Sequence, residues 1–327
     1  MFETLCAMLV PFCIQASDPA TENLKAYNID PHSITISGVS SGGFMAVQMD
    51  VAFSSVFSGA GAVAGGVYWC SEGDSKKAQS QCMGSPEKID SRLMIEKARE
   101  LAALGEIDLL ENLRTHRIYI FASPKDSVVK LGNSDKLMEF YESFVPASQI
   151  HRVTTPETAH GFPTLSNGGP CSMAGLPWLL KCNFDTAGDI LSHLYSDLVP
   201  RGSAVAENLH KFTQTDFGDS KTPLYRDGWI YVPEACEKGA RCKLHVALHG
   251  CQMNPDFIQD KFATQAGYND WAESNNIVVL YPQSARDSRG NPYACWDWFG
   301  FTGPDYVSKS GAQMSALMKM IERVRGL

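Results

Sequence analysis

"SITISGVSSGGFM", residues 33–45, joins a run of alternating apolar and polar residues to two adjacent serines set between glycines. The run reads as a strand, and "GGFMAVQMDVAF" after it reads as a buried helix. Between them, Gly38-Val39-Ser40-Ser41-Gly42 has the spacing G-x-S-x-G. That spacing suits a strand-to-helix turn so tight that the serine backbone is strained and only glycines leave room for the helix. The register selects Ser40, not Ser41, as a nucleophile.

A serine hydroxyl attacks poorly until a histidine takes its proton, and the histidine needs an acid to hold its tautomer. Open α/β sheets place their sites at the C-terminal ends of strands, so the partners are expected there. "RIYIFAS" (117–123) is followed by "PKDSVV", which offers Asp126, and "IHRVTT" (150–155) by "PETAHGF", which offers His160. Nucleophile, acid and base then stand in the chain order of the α/β hydrolases. Asp135, at a helix start, and Asp185, beyond the histidine, stay open as acids, and His249 stays open as a competing base.

Acyl transfer also needs N–H donors for the developing oxyanion. Ser41 N–H is one, at the positive end of the following helix. The second should come from a loop after a strand that precedes the elbow, and residues 1–32 contain no such strand. It stands near the far end instead, as "LHVALHGCQ" (244–252). Joining the last helix, "SALMKMIERVRGL", to "YNIDPHSITISGVSSGG" restores one continuous hydrolase, so the chain reads as circularly permuted. The join between the original ends is expected within about 201–228, a polar stretch without clear periodicity. Further strands are read at "GAGAVAGGV", "WIYVPEAC", "KLHVALHG" and "NIVVLYPQS", and a helix over 134–144 with Ser134 as its N-cap. The expected architecture is an α/β-hydrolase fold, circularly permuted, a single domain with a mainly parallel central sheet.

Composition narrows the class. The chain has 327 residues, is 44% hydrophobic and carries a net charge of -8 with no basic cluster, which argues against nucleic acid as a partner. Its ten cysteines form no C-x-x-C pair. With Cys6 and Cys13 set aside, neighbours pair as Cys70-Cys82, Cys171-Cys182 and Cys236-Cys242, leaving Cys251 and Cys295. An even remainder suits an oxidising compartment, and residues 1–16 read as a signal peptide with an atypical start, ahead of a single catalytic domain over 17–327. No later apolar run approaches the roughly 18 residues of a membrane span.

These residues resemble the poly(3-hydroxybutyrate) depolymerase family of serine esterases, in the type whose lipase box precedes the oxyanion segment. "GVSSGGFMA", "SPKDSVV", "AHGFPT", "CNFDTAGDIL", "LHGCQ" and "CWDWFG" follow the family's order from about residue 24 onward. Carried over by position, the resemblance implies Ser40 as nucleophile, Asp126 as acid and His160 as base, with the oxyanion hole formed by Ser41 and Cys251 N–H. It implies a Cys251-Cys295 bridge and an aromatic rim drawn from Tyr293, Trp296, Trp298, Phe299 and Phe301, with Trp298 the favoured contact. The expected substrate is poly(3-hydroxybutyrate) or its hydroxyalkanoate oligomers, handled by a secreted or periplasmic monomer without cofactor or metal. No linker or polymer-binding module is read, which favours oligomers or amorphous polymer. Feruloyl and acetyl-xylan esterases have similar elbows and stand as the alternative; a non-catalytic binding module on a hydrolase shell is the third reading.

Overall fold

The structure, a computed structural model, describes residues 22–327; the signal-peptide expectation for 1–16, with Cys6 and Cys13, lies outside the described residues. Eight strands form the central sheet: β1 (Ile29–Val39), β2 (Gly59–Val63), β3 (Arg117–Phe121), β4 (Ile150–Val153), β8 (Leu209–Thr213), β9 (Asp227–Tyr231), β10 (Cys242–Leu248) and β11 (Ile277–Tyr281). Three short strands, β5 (Phe162–Thr164), β6 (Gly169–Pro170) and β7 (Leu179–Lys181), make a second small sheet.

The sheet order is β4-β3-β2-β1-β10-β11-β9-β8, parallel from β4 through β11 and antiparallel at β9 and β8. Counted from β8 as the first strand, that order becomes 1-2-4-3-5-6-7-8, with the elbow strand β1 fifth. The chain's late strands therefore sit on one side of the elbow and its early strands on the other, as a permuted hydrolase requires. The C-terminal helix feeds back to the start of β1, where Tyr27 N–H donates to Val324 O at 2.8 Å.

Alternation along the strands sends side chains to two separate cores. Ile34, Ile36, Leu244, Val246, Val278 and Leu280 face one core, which is closed by helices α1 (Ser41–Ala52), α2 (Ser91–Ala103), α3 (Gly132–Tyr141) and a C-terminal helix (Ala312–Arg325). Val39, Tyr119, Phe121, Ala247, Val279 and Tyr281 face the other, closed by α4 (Thr186–Leu194) and α5 (Tyr268–Asn275). Because both faces are covered, the polar positions of β1 are buried as well. Thr35 Oγ1 and Ser37 Oγ bond the two nitrogens of His245 at 2.8 and 2.7 Å, so the sheet centre holds no unpaired hydroxyl at these sites.

One local expectation is corrected. Ser134 is not an N-cap: α3 begins at Gly132, and the Ser134 hydroxyl lies inside the first turn, donating to Leu131 O at 2.7 Å. The polar stretch 201–228 contains β8 and the first residues of β9. β8 shows no clear alternation because, of its five residues, only Phe212 is fully buried.

Candidate active site

The register of the sheet brings the site together. Gly38 of β1 pairs with Leu248 of β10, so two residues further on Ser40 stands level with Gly250. Ser40 has φ 55° and ψ −121°, a left-handed φ that costs energy in any residue with a Cβ, and its N–H is held by Val63 O at 2.8 Å. The flanking glycines are required by contact. A Cβ on Gly38 would stand 2.3 Å from Gly42 O, and one on Gly42 would stand 2.4 Å from His249 O.

Asp126 follows β3 and His160 follows β4, both largely buried. His160 Nε2 lies 3.0 Å from Ser40 Oγ, and His160 Nδ1 lies 2.7 Å from Asp126 Oδ2. The carboxylate is oriented by its other oxygen, which accepts from Val128 N–H (2.8 Å) and Val129 N–H (2.9 Å). With Nδ1 donating to the acid, Nε2 presents its lone pair to the serine hydroxyl. The histidine loop is fixed in turn. Ala159 N–H donates to Cys171 O and Phe162 N–H to Trp178 O, both at 2.8 Å, while a disulfide joins Cys171 to Cys182.

The other candidate residues lie elsewhere or do other work. Asp135 pairs with Arg152 at 2.7 Å. Asp185 caps α4 through Gly188 N–H at 3.0 Å and accepts from Trp271 Nε1 at 3.0 Å. His249 is fully buried and does not line the cleft.

Three further disulfides join Cys70 to Cys82, Cys236 to Cys242 and Cys251 to Cys295. The last ties the loop after β10 to the aromatic segment. Among the described residues, neither Ser41 N–H nor Cys251 N–H meets an acceptor. Both belong to residues beside Ser40, one by sequence and one across the cleft wall that Gly250 and Cys251 form.

Ser40 and His160 open into a cleft of about 830 Å³ with a mostly apolar lining that includes Val128, Trp178, Met253, Tyr293, Trp298 and Phe299. Trp298 stacks on Phe44 with ring centroids 4.2 Å apart. Phe299 and Phe301 also reach the cleft, and Tyr293 is 54% exposed at it. Trp296 does not belong to this rim: it is fully buried, packs against His249 at 5.4 Å and lines no part of the cleft. Three contributors were not read from the sequence. Asp297 is buried in the aromatic loop, where its carboxylate accepts from the N–H groups of Gly300, Phe301 and Thr302 at 2.7 to 3.1 Å; burial pushes its pKa up while these donors oppose the shift. Ser123 Oγ accepts from Thr158 N–H at 2.7 Å and so links the acid loop to the histidine loop. Trp178 sets its ring edge-on to His160, with centroids 6.0 Å apart. No group of three or more His, Cys, Asp or Glu side chains able to hold a metal, and no helix long and apolar enough to cross a membrane, occurs among the described residues.

A poly(3-hydroxybutyrate) depolymerase of Delftia acidovorans is 42% identical over 317 residues, which cover 95% of this chain and 63% of that protein. A polyhydroxybutyrate depolymerase of Talaromyces funiculosus is 33% identical over 329 residues, covering 94% of each. The chain belongs to the poly(3-hydroxybutyrate) depolymerase family. It spans less than two thirds of the Delftia protein but nearly all of the fungal one. No family model matches the chain. The depolymerase fold is shared in three dimensions: the crystal structure of PHB depolymerase from Penicillium funiculosum matches with a TM-score of 0.87 at 32% identity, over 93% of this chain and 99% of that one. A serine-to-alanine variant of a PHB depolymerase, solved in complex with an R3HB trimer, matches with a TM-score of 0.88 at 31% identity, with the same coverage.

Proposed function

We propose that this chain hydrolyses poly(3-hydroxybutyrate), or its (R)-3-hydroxybutyrate oligomers, through an acyl-Ser40 intermediate. One observation carries the reading: Ser40 Oγ, His160 and Asp126 form a continuous hydrogen-bonded line that reaches an apolar cleft through Ser40 and His160. The relative bound to an R3HB trimer supports the substrate class.

In this mechanism His160 Nε2 takes the Ser40 proton as Oγ attacks the ester carbonyl carbon, and Asp126 stabilises the imidazolium. The oxyanion is received by Ser41 N–H and Cys251 N–H. His160 then gives its proton to the leaving alkoxide, forming the hydroxyl end of one product. A water replaces that product, loses a proton to His160 and attacks the acyl carbon, releasing the carboxylic acid and restoring Ser40. Trp298, Phe299 and Tyr293 would bury the methyl-bearing backbone of the polyester, which offers no charge to recognise.

The same proposal includes a single catalytic unit over 17–327, acting as a monomer in an oxidising, extracellular or periplasmic setting that four disulfides suit. The join of the permuted ends is assigned to the connection between α4 and β8, since β8 already belongs to the sheet.

The test is release of 3-hydroxybutyrate from an amorphous polyester suspension, run beside release of ferulate from an arabinoxylan ester. Acid from the polyester alone is expected. Turnover of the feruloyl ester alone would replace the polyester assignment by the carbohydrate-esterase one.

A further inference from the structure

His249 immediately precedes the Gly250-Cys251 segment of the cleft wall, and its imidazole is fully buried. Its Nε2 accepts from Ser284 N–H at 3.1 Å, so Nε2 carries no hydrogen and Nδ1 does. Nδ1–H then donates to Gly250 O at 2.7 Å. A trans peptide is planar, with its C=O and its N–H pointing in opposite directions. Fixing Gly250 O inward therefore turns the N–H of the same peptide unit, that of Cys251, outward to the cleft. This N–H meets no acceptor among the described residues.

The surroundings leave the peptide little freedom to rotate. A Cβ on Gly250 would stand 3.2 Å from Val39 O and 3.3 Å from Ser40 Cβ, so the segment rests directly on the nucleophile's turn. Gly250 N–H points to Met253 Sδ at 3.3 Å. The imidazole is itself braced by Trp296, and Ser284 is anchored through its hydroxyl to Cys295 O at 2.8 Å.

We propose that His249 is a positioning residue that aims the Cys251 N–H at the oxyanion by holding the Gly250 carbonyl from behind. The inference rests on the acyl-serine reading above and assigns His249 no proton transfer of its own. The ring is neutral in its site, because burial holds its pKa down at about 4.

Two amide substitutions separate this role from a merely structural one. In His249→Asn the side-chain NH2 takes the place of Nδ1 and can still donate to Gly250 O. In His249→Gln the amide extends to the place of Nε2, where its oxygen can meet Ser284 N–H, and the donor to Gly250 O is lost. Both bury one amide in the same cavity. On a soluble (R)-3-hydroxybutyrate trimer ester, we expect His249→Asn to keep kcat within about fivefold of wild type. His249→Gln should lose about tenfold to a hundredfold in kcat with KM little changed, less than or equal to the 10²–10³ of an oxyanion donor removed outright. Affinity for butylboronic acid, whose Ser40 adduct is tetrahedral, should fall in parallel. Equal kcat and equal boronate affinity in the two variants would overturn the proposal, as would a loss confined to KM. If His249→Gln fails to fold, His249→Ala, which also lacks a donor to Gly250 O, takes its place in the same comparison with His249→Asn: a tenfold or larger gap in kcat supports the role, and equal kcat overturns it. A wild type inactive on the trimer ester would count against the substrate assignment only, since the boronate comparison still reports on the donor.

Discussion

Gly42 touches His249 backbone to backbone: a methyl group on its Cα would stand 2.4 Å from the His249 carbonyl oxygen and 2.5 Å from that of Leu248. The first turn of α1 thus lies directly on the end of β10, and the elbow and the Gly250-Cys251 segment form one tightly packed corner. Gly42→Ala must push these backbones apart. We expect it to lose at least a hundredfold in ester turnover, or to fail to accumulate as soluble protein, with a cost of about 1–3 kcal/mol or more from overpacking. Gly169→Ala is the control, because nothing lies within 4 Å of its Cβ position. Its unfolding free energy from urea titration should stay within about 0.5 kcal/mol of wild type.

The Cys251-Cys295 bridge joins the Gly250-Cys251 segment to the aromatic loop, with Cα atoms 4.2 Å apart. Replacing both cysteines by serine should lower stability by about 2–4 kcal/mol in urea titration. It should also lower kcat by more than Cys236→Ser with Cys242→Ser does, since that second bridge lies away from the cleft. Equal kcat values in the two double variants would remove the link between this bond and the site.

Trp298 stacks on Phe44 and lines the cleft, whereas Trp296 is core. Trp298→Ala should therefore raise KM for an oligomer about tenfold, the equivalent of about 1.4 kcal/mol of lost apolar contact. Trp296→Ala should act on stability instead, costing about 3–5 kcal/mol. Steady-state kinetics beside thermal melts separates the two.

The pH dependence of stability follows from three buried imidazoles. Burial holds His245 at about 3 and His249 at about 4, against about 6.5 in an unfolded chain. Between pH 6.5 and 4 the unfolded chain binds more protons, so stability falls as pH falls; His249 alone contributes about 3 kcal/mol to that loss. His116 has the opposite sign. Burial opposes its charge, yet Asp50 at 2.8 Å and Ser54 O at 3.0 Å raise its pKa. Its contribution is complete below pH 6.5 and is lost as pH rises through the raised value. Urea midpoints should climb from pH 4 to 6.5, and His249→Asn should flatten that climb. An unchanged slope in the variant would show that His249 does not contribute to it.

The hydrogen-bonded line of Ser40, His160 and Asp126 was legible because each member has a strong local signature. The elbow needs its glycines, and Asp126 and His160 each stand just beyond an apolar strand. The permuted order could be read because β10 ends in a His-Gly-Cys segment that the start of the chain lacks. What was not legible depends on contacts between distant segments. Trp296 and Trp298 are two residues apart in one loop, and only the packing of Phe44 and His249 sends one to the cleft and the other to the core. Ser123, Trp178 and Asp297 act through backbone donors, acceptors or ring contacts that no residue pattern encodes. β8 sits at the sheet edge, where half-buried residues blur the alternation. Ser134 has the composition of a cap, but the helix starts two residues earlier and uses the hydroxyl inside its first turn.

On the proposed mechanism Ser40 Oγ is the attacking atom, activated by His160 at 3.0 Å. Its most direct test is a fluorophosphonate reaction followed by peptide mass analysis, with turnover of amorphous polyester measured on wild type and Ser40→Ala. One adduct per chain is expected, on Ser40, abolished in the folded alanine variant together with all acid release. An adduct on another residue, or polyester turnover persisting in Ser40→Ala, would contradict it.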